Sequence, residues 1–415
     1  MTAVEVFADR VGACDIGKAI VVACVRVIRG SRATAEVRTF TTMTPDLLTM
    51  VDWFAEQRVT VVSMEATSDY WKPVYYLCED RFEQVWLVNA RDVAKVPGRK
   101  SDVKDAAWLA QLTQHGLVRA SFVPPEPIRR LRDLTRQRAN LVTERTRALN
   151  RLEKILEDAG IKTSAVLTKT LSMSSRHMIE ALIHGERDPE ILADLALGRA
   201  RSKIRDLRQA LIGRFNDHHA FLCQQALTHI DTIDAQISAF TTRIEVETQP
   251  FQTRHDLLRT IPGVSDRIAQ IILAETGGDM TRFPSAADLA SWAGVSPGLN
   301  TSAGKHLSQS TTHGDTWLKA ALGDAAAAAS RTKNTYLGAY YKRTAKRRGP
   351  RRALVATMHK ILTAVWHMLT TDTPYHDLGP EHWTHDTHYT QRRRHRLAAE
   401  LTALGVDTST LNLAA

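Results

Sequence analysis

The sequence predicts a mixed class, with an α/β domain at the N-terminal end followed by mainly helical regions. Three observations support this prediction. Short apolar runs alternate with helical patterns up to about residue 122. Pro124, Pro125 and Pro127 then mark a boundary. Apolar residues recur at heptad spacing beyond residue 128, which is typical of long amphipathic helices.

Within the first 122 residues, the patterns predict three strands and then strands that alternate with helices. The predicted strands cover residues 10–28 (two strands joined at Gly17-Lys18), 33–42, 59–66 and 84–90, and the predicted helices cover residues 44–57, 72–82 and 101–116. Thr44-Pro45 should open the first helix, and Ser101 and Gly116 should cap the last one. The order βββαβαβα fits an RNase H-like fold, because a dinucleotide-binding fold would alternate strand and helix from its first strand.

The remaining chain is predicted to be helical. We expect segments at residues 1–122, 126–250, 254–370 and 373–415, the last a weakly ordered basic tail containing Arg392, Arg393 and Arg394. Two sets of residues repeat at sevens in the first long helix, namely Leu134, Leu141, Ala148 and Ile155, and Val142, Leu149 and Leu156. A second helical stretch covers about residues 199–247. These helices form either a hairpin that packs on itself or a coiled-coil dimerisation arm, and the arm is slightly favoured.

Composition bounds the function. The chain has 415 residues, a net charge of +10 and a pI near 9.5, so a polyanionic partner is plausible. Its four cysteines are scattered, which argues against a zinc site or a disulfide framework. We find no signal peptide and no apolar run long enough for a membrane span, so we expect no membrane partner and a cytoplasmic location.

Four carboxylates are the most informative feature. Asp15 and Glu65 end apolar strands, and Asp102 and Asp105 lie three residues apart on one helix face. Such acids repel one another unless cations neutralise them, and oxygen-only ligands suit a pair of Mg²⁺ or Mn²⁺ ions. Metal pairs of this kind catalyse phosphodiester cleavage. Taken singly, each acid is more often a cap or an ion-pair partner, and Asp69 is a competing acid.

Two features of the C-terminal region suit nucleic-acid contact. Ile261–Val264 resembles the turn of a helix-hairpin-helix element, whose free N–H groups near Gly263 can hold a phosphate. A second feature is a cationic cluster interleaved with Tyr336, Tyr340 and Tyr341, which suits backbone neutralisation and base stacking. The cluster consists of Lys342, Arg343, Lys346, Arg347, Arg348, Arg351 and Arg352.

Between these features, residues 296–314 are too polar and glycine-rich for a core element. We expect a solvated loop there, ahead of a helix that begins near Asp315. Serines beside Lys305 suit phosphate contact, and a serine hydroxyl can attack phosphorus when deprotonated.

Asp15 in ACDIGKA, Glu65 in MEATSDYW and the Asp102/Asp105 pair in GRKSDVKDAAWLA resemble the RuvC-like DEDD domain of Piv/MooV-type insertion-sequence transposases, the insertion-sequence one-ten family. The stretch from TIPGVSDRIAQ through SAGK to HGDTWLKAAL is similar to the C-terminal transposase domain of that family. The resemblance covers about residues 9–122 and 254–365.

The resemblance implies a nucleoid-associated bacterial recombinase that moves DNA with a metal-binding acidic tetrad and a covalently acting serine. The tetrad matches Asp15, Glu65, Asp102 and Asp105, and the serine matches Ser302. This chain has Ser302-Ala303 where the family often has Ser-Gly, and Ser308 and Ser310 lie nearby. The implied partners are element-end and target DNA, a structured bridge RNA and further copies of the chain, as a dimer or tetramer. A dimerising arm would let the serine of one protomer complete the acidic site of another.

Three alternatives stay open at this point. A structure-selective endonuclease of the junction-resolvase kind would share the acids, but it would not need the serine. An actin-like ATPase would share Asp15-Ile16-Gly17, yet no second glycine-rich phosphate loop follows. A non-catalytic DNA-binding protein would leave the acids unexplained.

Overall fold

The computed structural model describes residues 6–30, 32–89, 102–298, 300–302, 305–308, 310–311, 313–383, 396–397, 400–402 and 404. For residues 102–104, 300–302 and 305–308, the description covers the backbone alone. The chain divides into two compact units, Met1–Pro124 and Pro125–Ala415.

The N-terminal unit is an α/β domain. Its described elements are β1 (Arg10–Ile16), β2 (Ile20–Arg29), β3 (Arg32–Thr41), α1 (Thr44–Glu56), β4 (Val61–Glu65), α2 (Trp71–Glu79), β5 (Gln84–Val88) and α3 (Asp102–Gln114). Each strand and helix predicted from the sequence has a counterpart here. One cap prediction is wrong, because Met43 precedes α1 without a side-chain cap and Thr44 is already helical. Ser101 lies outside the described residues.

The five strands form one mixed sheet in the order β3-β2-β1-β4-β5. The first three strands form antiparallel pairs, whereas β1–β4 and β4–β5 are parallel. Because side chains alternate between the faces of a sheet, Cys14 and Met64 join the core beneath α1 and α2. Ala13 and Val22 join the core beneath α3 on the opposite face. The sheet is therefore covered on both sides over β1, β2 and β4, which is consistent with the nearly continuous apolar runs of these strands, whereas the edge strand β3 is mostly exposed.

Two long helices dominate the start of the second unit. The elements are α4 (Glu126–Asp158), α5 (Thr163–Val166), α6 (Met173–Ile183), α7 (Pro189–Asp194), α8 (Ile204–Ala210) and α9 (Asp217–Thr248). Contacts at both ends show that α4 and α9 run antiparallel, since Arg130 pairs with Glu247 at 3.5 Å and His219 Nε2 lies within hydrogen-bond distance of Asp158, at 3.1 Å. The chain therefore forms a helical hairpin with itself. A dimerising role for this arm stays a prediction.

The buried stripe of α4 differs from the predicted heptads near its start. Leu134 is half-buried there, whereas Leu131, Thr135 and Arg138 are buried. Arg138 is tolerated in this position because its guanidinium donates to Gln270 Oε1 at 3.0 Å. Burial lowers the pKa of Arg138 to about 10. The heptad sets contain only apolar residues, so they did not include this buried arginine.

The second predicted helix, over residues 199–247, is also wrong in its first part. A 3₁₀ segment, the short α8 and a turn precede α9, which begins only at Asp217. The turn requires Gly213, because a β-carbon there would lie 2.4 Å from the Ala159 carbonyl oxygen. Asn216 then caps α9 by accepting a hydrogen bond from the His219 N–H at 3.2 Å. The glycine and the capping asparagine were the available sequence signals.

The rest of the second unit is a helical body with a small hairpin. Its elements are α10 (Gln252–Arg259), α11 (Asp266–Thr276), α12 (Ala286–Trp292), β6 (Asn300–Ser302), β7 (Lys305–Ser308), α13 (Thr316–Arg331), α14 (Tyr336–Arg348) and α15 (Pro350–Thr371). Every residue of α11 from Ile268 to Thr276 is buried. A helix buried on all sides lies at the centre of a core, and α11 has this place among α4, α10, α13 and α15.

Glu275, at the end of α11, is a buried carboxylate with arginine partners. Arg136 donates to both of its oxygens, at 2.8 and 2.7 Å. Arg132 donates to the carbonyl oxygens of Ala274 and Glu275, at 2.9 and 2.7 Å. Burial raises the pKa of the Glu275 carboxyl, and the hydrogen bonds from Arg136 oppose this rise. These contacts join the base of the arm to the centre of the body.

The predicted basic tail is wrong over residues 373–383, which pack on the body. The Tyr375 N–H donates to Thr260 Oγ1, and the Tyr336 N–H donates to Asp377 Oδ1, both at 2.9 Å. Asp377 thus supplies an acceptor for the N-terminus of α14, a contact that composition alone does not reveal. Arg392, Arg393 and Arg394 lie outside the described residues. Among the helices that the structure describes, none combines the length and apolar character needed to cross a bilayer.

Candidate active site

Asp15 and Glu65 lie side by side in the sheet. Asp15 is the last residue but one of β1, and Glu65 is the last residue of β4. In the parallel register of these strands, Cys14 pairs with Met64, and these are the residues immediately before the two acids. Both acids therefore lie on the same face, which is the face that α3 covers, and both are half-buried.

Helix α3 runs antiparallel to β1. The N–H groups of Phe7 and Ala8 donate to the Gln114 carbonyl oxygen at 2.9 and 3.4 Å, so α3 ends where β1 begins. Arg26 Nε also donates to Gln114 Oε1, at 2.7 Å. From Gln114 back to Asp102 the helix covers about 18 Å. The strand covers about 17 Å from Arg10 to Asp15. The beginning of α3 is therefore level with the strand ends that carry the acids.

Asp105 belongs to the side of α3 that faces the sheet. It is half-buried, and Leu109 and Leu112, one and two turns later, are buried. Asp102 precedes Asp105 by three residues and thus shares its face. The side chain of Asp102 lies outside the described residues. Backbone placement thus brings the four predicted acids to one end of one sheet face.

A hydroxyl pair fixes α3 on the sheet. Thr113 Oγ1 lies 2.8 Å from both Ser63 Oγ on β4 and the Leu109 carbonyl oxygen. Both residues are fully buried. Glu65 follows Ser63 by two residues on the same face, so this contact sets the height of α3 relative to the acids. Ser63 and Thr113 are hydroxyl residues among mostly apolar neighbours, and this pattern in the sequence is a usable signal of such a contact.

The described carboxylates, which do not include that of Asp102, do not form a closed cluster. Among the described residues, no three acidic, histidine or cysteine side chains lie close enough together to hold a metal ion. Asp69, the competing acid, is 81% exposed and pairs with Lys72 at 3.0 Å at the start of α2. The structure thus separates Asp69 from the buried face where Asp15 and Glu65 lie.

The predicted serine loop is instead a β-hairpin. Strands β6 and β7 pair antiparallel, with Ser302 opposite Lys305. Only two residues, one of them a glycine, connect this pair, which is the sequence signal of a tight hairpin. The side chains of Ser302, Lys305 and Ser308 are not described, whereas Ser310 is exposed. The assignment of the nucleophile among these serines stays a prediction.

The turn between α10 and α11 packs against α13. Gly263 has a positive φ of 93°, and a β-carbon there would lie 2.3 Å from the Ala325 carbonyl oxygen. Glycine is therefore required for close helix packing at this turn. The helix-hairpin-helix interpretation and the phosphate contact near Gly263 stay predictions.

The basic cluster lies where α14 ends and α15 begins. Its exposed members are Lys342, Lys346, Arg347, Arg348, Arg351 and Arg352, and Arg343 is half-buried. Among the residues that the structure describes, none of the six exposed cations forms an ion pair with a carboxylate. Arg351 and Arg352 occupy the first turn of a helix, where the helix dipole disfavours positive charge. Helix stability therefore does not explain their presence.

The tyrosines beside this cluster have partners inside the fold. Tyr336 stacks on Tyr340 with ring centroids 6.4 Å apart, and His382 meets the Tyr336 ring at 5.3 Å. Lys360 Nζ lies 5.8 Å from the centre of the Tyr340 ring. The stacking of bases on these tyrosines stays a prediction, and any base would have to share the Tyr336 and Tyr340 rings with these intramolecular contacts.

Comparison with known proteins identifies the class of both units. The DEDD transposase model of the IS110 type, described as "Transposase", matches residues 12–161. This region contains the four acids and α4. A second model, described as "Transposase IS116/IS110/IS902 family", matches residues 255–342, which contain the α10–α11 turn and the serine hairpin. The DEDD match implies an RNase H-like fold and a divalent metal ion. The chain belongs to the IS110 family of transposases.

A curated relative agrees with this assignment. The chain is 27% identical over 223 residues to the "Insertion element IS900 uncharacterized 42 kDa protein" of Mycobacterium paratuberculosis. The match covers 48% of this chain and 53% of the relative, so it spans about half the length of each.

We predict that Thr113→Val loosens α3 on the sheet. The substitution keeps the shape of the side chain but removes the hydrogen bond from Thr113 to the buried Ser63 hydroxyl, which keeps its longer contact to the Gly12 carbonyl oxygen at 3.4 Å. The expected loss is about 0.5–1.5 kcal/mol. Hydrogen exchange of α3 amides should become faster, and the free energy of unfolding should fall. Thr49→Val is the matched control, because Thr49 makes the same helical hydrogen bond at an exposed position. Equal effects of the two substitutions would contradict the role of the Thr113–Ser63 contact in holding α3 on the sheet.

Proposed function

We propose that this protein is an insertion-sequence transposase that cleaves and rejoins DNA, with an acidic site in the N-terminal unit and a serine nucleophile in the C-terminal unit. One observation carries the proposal. Asp15 and Glu65 end adjacent strands beneath the start of the helix that bears Asp102 and Asp105, within the region that matches the DEDD transposase model.

The residues at this edge fit a divalent cation by their chemistry. All four donors are carboxylates, and the three whose burial is described are half-buried, which suits Mg²⁺ or Mn²⁺. Asp15, Glu65, Asp102 and Asp105 would hold the ion. When bound, it would neutralise these acids and stabilise negative charge on phosphodiester oxygens. The hydrogen bond between Thr113 on α3 and Ser63 on β4 keeps the start of α3 beside the strand ends that carry Asp15 and Glu65.

The serine supplies the covalent step in this proposal. The Ser302 oxygen attacks the phosphorus of a DNA phosphodiester, forming a P–O bond to serine while one bridging P–O bond breaks. The departing deoxyribose oxygen takes up a proton as the serine hydroxyl loses one. Attack by a DNA hydroxyl on the serine phosphodiester reverses the step and rejoins DNA without an external energy source.

The basic cluster supplies the electrostatic contact to nucleic acid. The six exposed cations of the cluster, which do not include Arg343, can neutralise phosphates and release counterions. The partners in this proposal are the element ends, the target DNA and a structured guide RNA, of which the RNA rests on the family resemblance alone. Assembly into a dimer or tetramer through the arm is proposed on the same basis.

Substitutions that remove charge from the acids should separate catalysis from binding. Asp15→Asn and Glu65→Gln are each expected to lower the rate of DNA cleavage by at least about 100-fold, because each removes a charged ligand group. Affinity for DNA should stay within about twofold, since the cationic cluster carries binding. Cleavage of labelled element-end DNA and a binding titration measure the two quantities.

Asp69→Asn is the matched control for the acidic site and should leave cleavage unchanged, because Asp69 is exposed and pairs with Lys72. If Asp15→Asn weakened binding as much as it slowed cleavage, the separation of roles would be wrong.

A covalent adduct tests the serine and distinguishes a recombinase from a structure-selective endonuclease. Wild-type protein incubated with element-end DNA should yield a protein–DNA band that survives denaturing electrophoresis. Ser302→Ala should abolish the band, whereas Ser308→Ala and Ser310→Ala should retain it. Cleavage without any adduct would favour the endonuclease, and loss of the band in another serine variant would move the assignment.

Salt dependence tests the basic cluster. Replacing Arg347, Arg348, Arg351 and Arg352 with alanine should lower DNA affinity and reduce the slope of log affinity against log salt by about 3–4 units. The control removes four exposed arm arginines instead, namely Arg147, Arg151, Arg199 and Arg201, so the change in net charge is equal. An unchanged slope in the first variant would exclude the cluster from the interface.

A further inference from the structure

The serine hairpin is attached to the body at its open end. The Gly298 N–H donates to the Ser310 carbonyl oxygen at 2.9 Å, and Pro297 and Thr311 form a β-bridge. Lys319 Nζ, in the first turn of α13, lies 2.9 Å from Thr311 Oγ1. Among the described residues, this side-chain contact links the hairpin base directly to α13. The position of the hairpin thus depends on the N-terminal end of α13.

Asp315 fixes that end of α13 in two ways. One carboxylate oxygen accepts the Leu318 N–H at 2.7 Å and so caps the helix. The other oxygen lies 3.4 Å from the Arg136 guanidinium. Gly314, just before Asp315, lies so close to Gly294 that a β-carbon would be 2.3 Å from the Gly294 nitrogen. Gly314, beside the Asp315 cap, is therefore packed directly against the backbone at Gly294.

Arg136 is itself held in one orientation. Its two donations to the fully buried Glu275 set the plane of the guanidinium, and the Trp317 ring centre lies 5.8 Å from it. Arg136 belongs to the arm helix α4, Glu275 to the central helix α11 and Asp315 to the cap of α13. One planar cation thus connects three elements. A lysine ammonium cannot reproduce this geometry, because it is a point charge without a bidentate fork.

We infer that Arg136 and Asp315 are positioning residues for the serine hairpin, and that they make the placement of Ser302 depend on the base of the arm. The inference rests on the proposed function for the role of Ser302, but not for the mechanical link. Placement of a nucleophile matters steeply, because an error of about 1 Å can cost a rate factor of about 100. A displacement of α4 at Arg136 would reach the hairpin through Asp315, α13 and Lys319.

The test uses two conservative variants of the full chain. Arg136→Lys keeps the charge and removes the fork, and Asp315→Asn keeps a capping side chain while it removes the negative charge. Arg130→Lys is the matched control, because Arg130 lies on the same helix but is 53% exposed and pairs with Glu126 and Glu247. Two measurements are made, namely hydrogen exchange of Asn300–Ser308 and the rate of serine–DNA adduct formation at saturating DNA.

Both variants should speed exchange of the hairpin amides by at least about fivefold, while exchange in the N-terminal sheet stays unchanged. The adduct rate should fall by about tenfold or more, and the DNA concentration at half-maximal rate should stay within about twofold. Arg130→Lys should match wild type in both measurements. This split separates positioning from a general loss of stability.

Unchanged hairpin exchange in Arg136→Lys and Asp315→Asn would overturn the inference, whatever the adduct rate. A normal adduct rate with faster exchange would also overturn it, because the hairpin would move without effect on Ser302. If wild type formed no adduct while exchange was faster in the variants, the serine chemistry would be wrong and the mechanical link would stand.

Discussion

The second unit depends on one buried carboxylate. Glu275 has no solvent exposure, and Arg132 and Arg136 surround it from the base of the arm. Removing one partner from such a pair leaves a charge uncompensated in a poor dielectric, at a cost of about 3–5 kcal/mol. The arm and the body are therefore not independent segments joined by a linker. Leu131 and Ile244, from the two arm helices, also lie in the core of the body.

The N-terminal unit follows from its sequence more closely than the second unit does. Its strands are short and bounded by turns. The antiparallel β1–β2 ribbon and the parallel strands β4 and β5 belong to one sheet. The positions of Asp15 and Glu65 at strand ends were readable directly, because strand periodicity fixes the face of each residue. The position of α3 along the strands could not be predicted from the sequence, because it depends on a long-range contact between Thr113 and Ser63.

In the second unit, sequence patterns fail where polar groups are buried or where glycine governs packing. The heptad pattern includes no arginine, yet Arg138 is buried and donates to Gln270. The break before α9 depends on Gly213 against Ala159, a contact between residues 54 positions apart. The serine segment lacked an apolar stripe, so a loop was the natural expectation. Its strands pair through backbone hydrogen bonds, which do not require apolar side chains.

The run of five alanines in α13, at residues 325–329, does more than favour a helix, because two of its members are packing partners of a turn. The α10–α11 turn rests on Ala325 and Ala329 with only Gly263 between two backbones. Longer side chains adjust their rotamers when neighbours shift, but main-chain atoms in contact cannot. A shift of α13 toward this turn would force main-chain atoms into one another, so we expect α10, α11 and α13 to move as a unit.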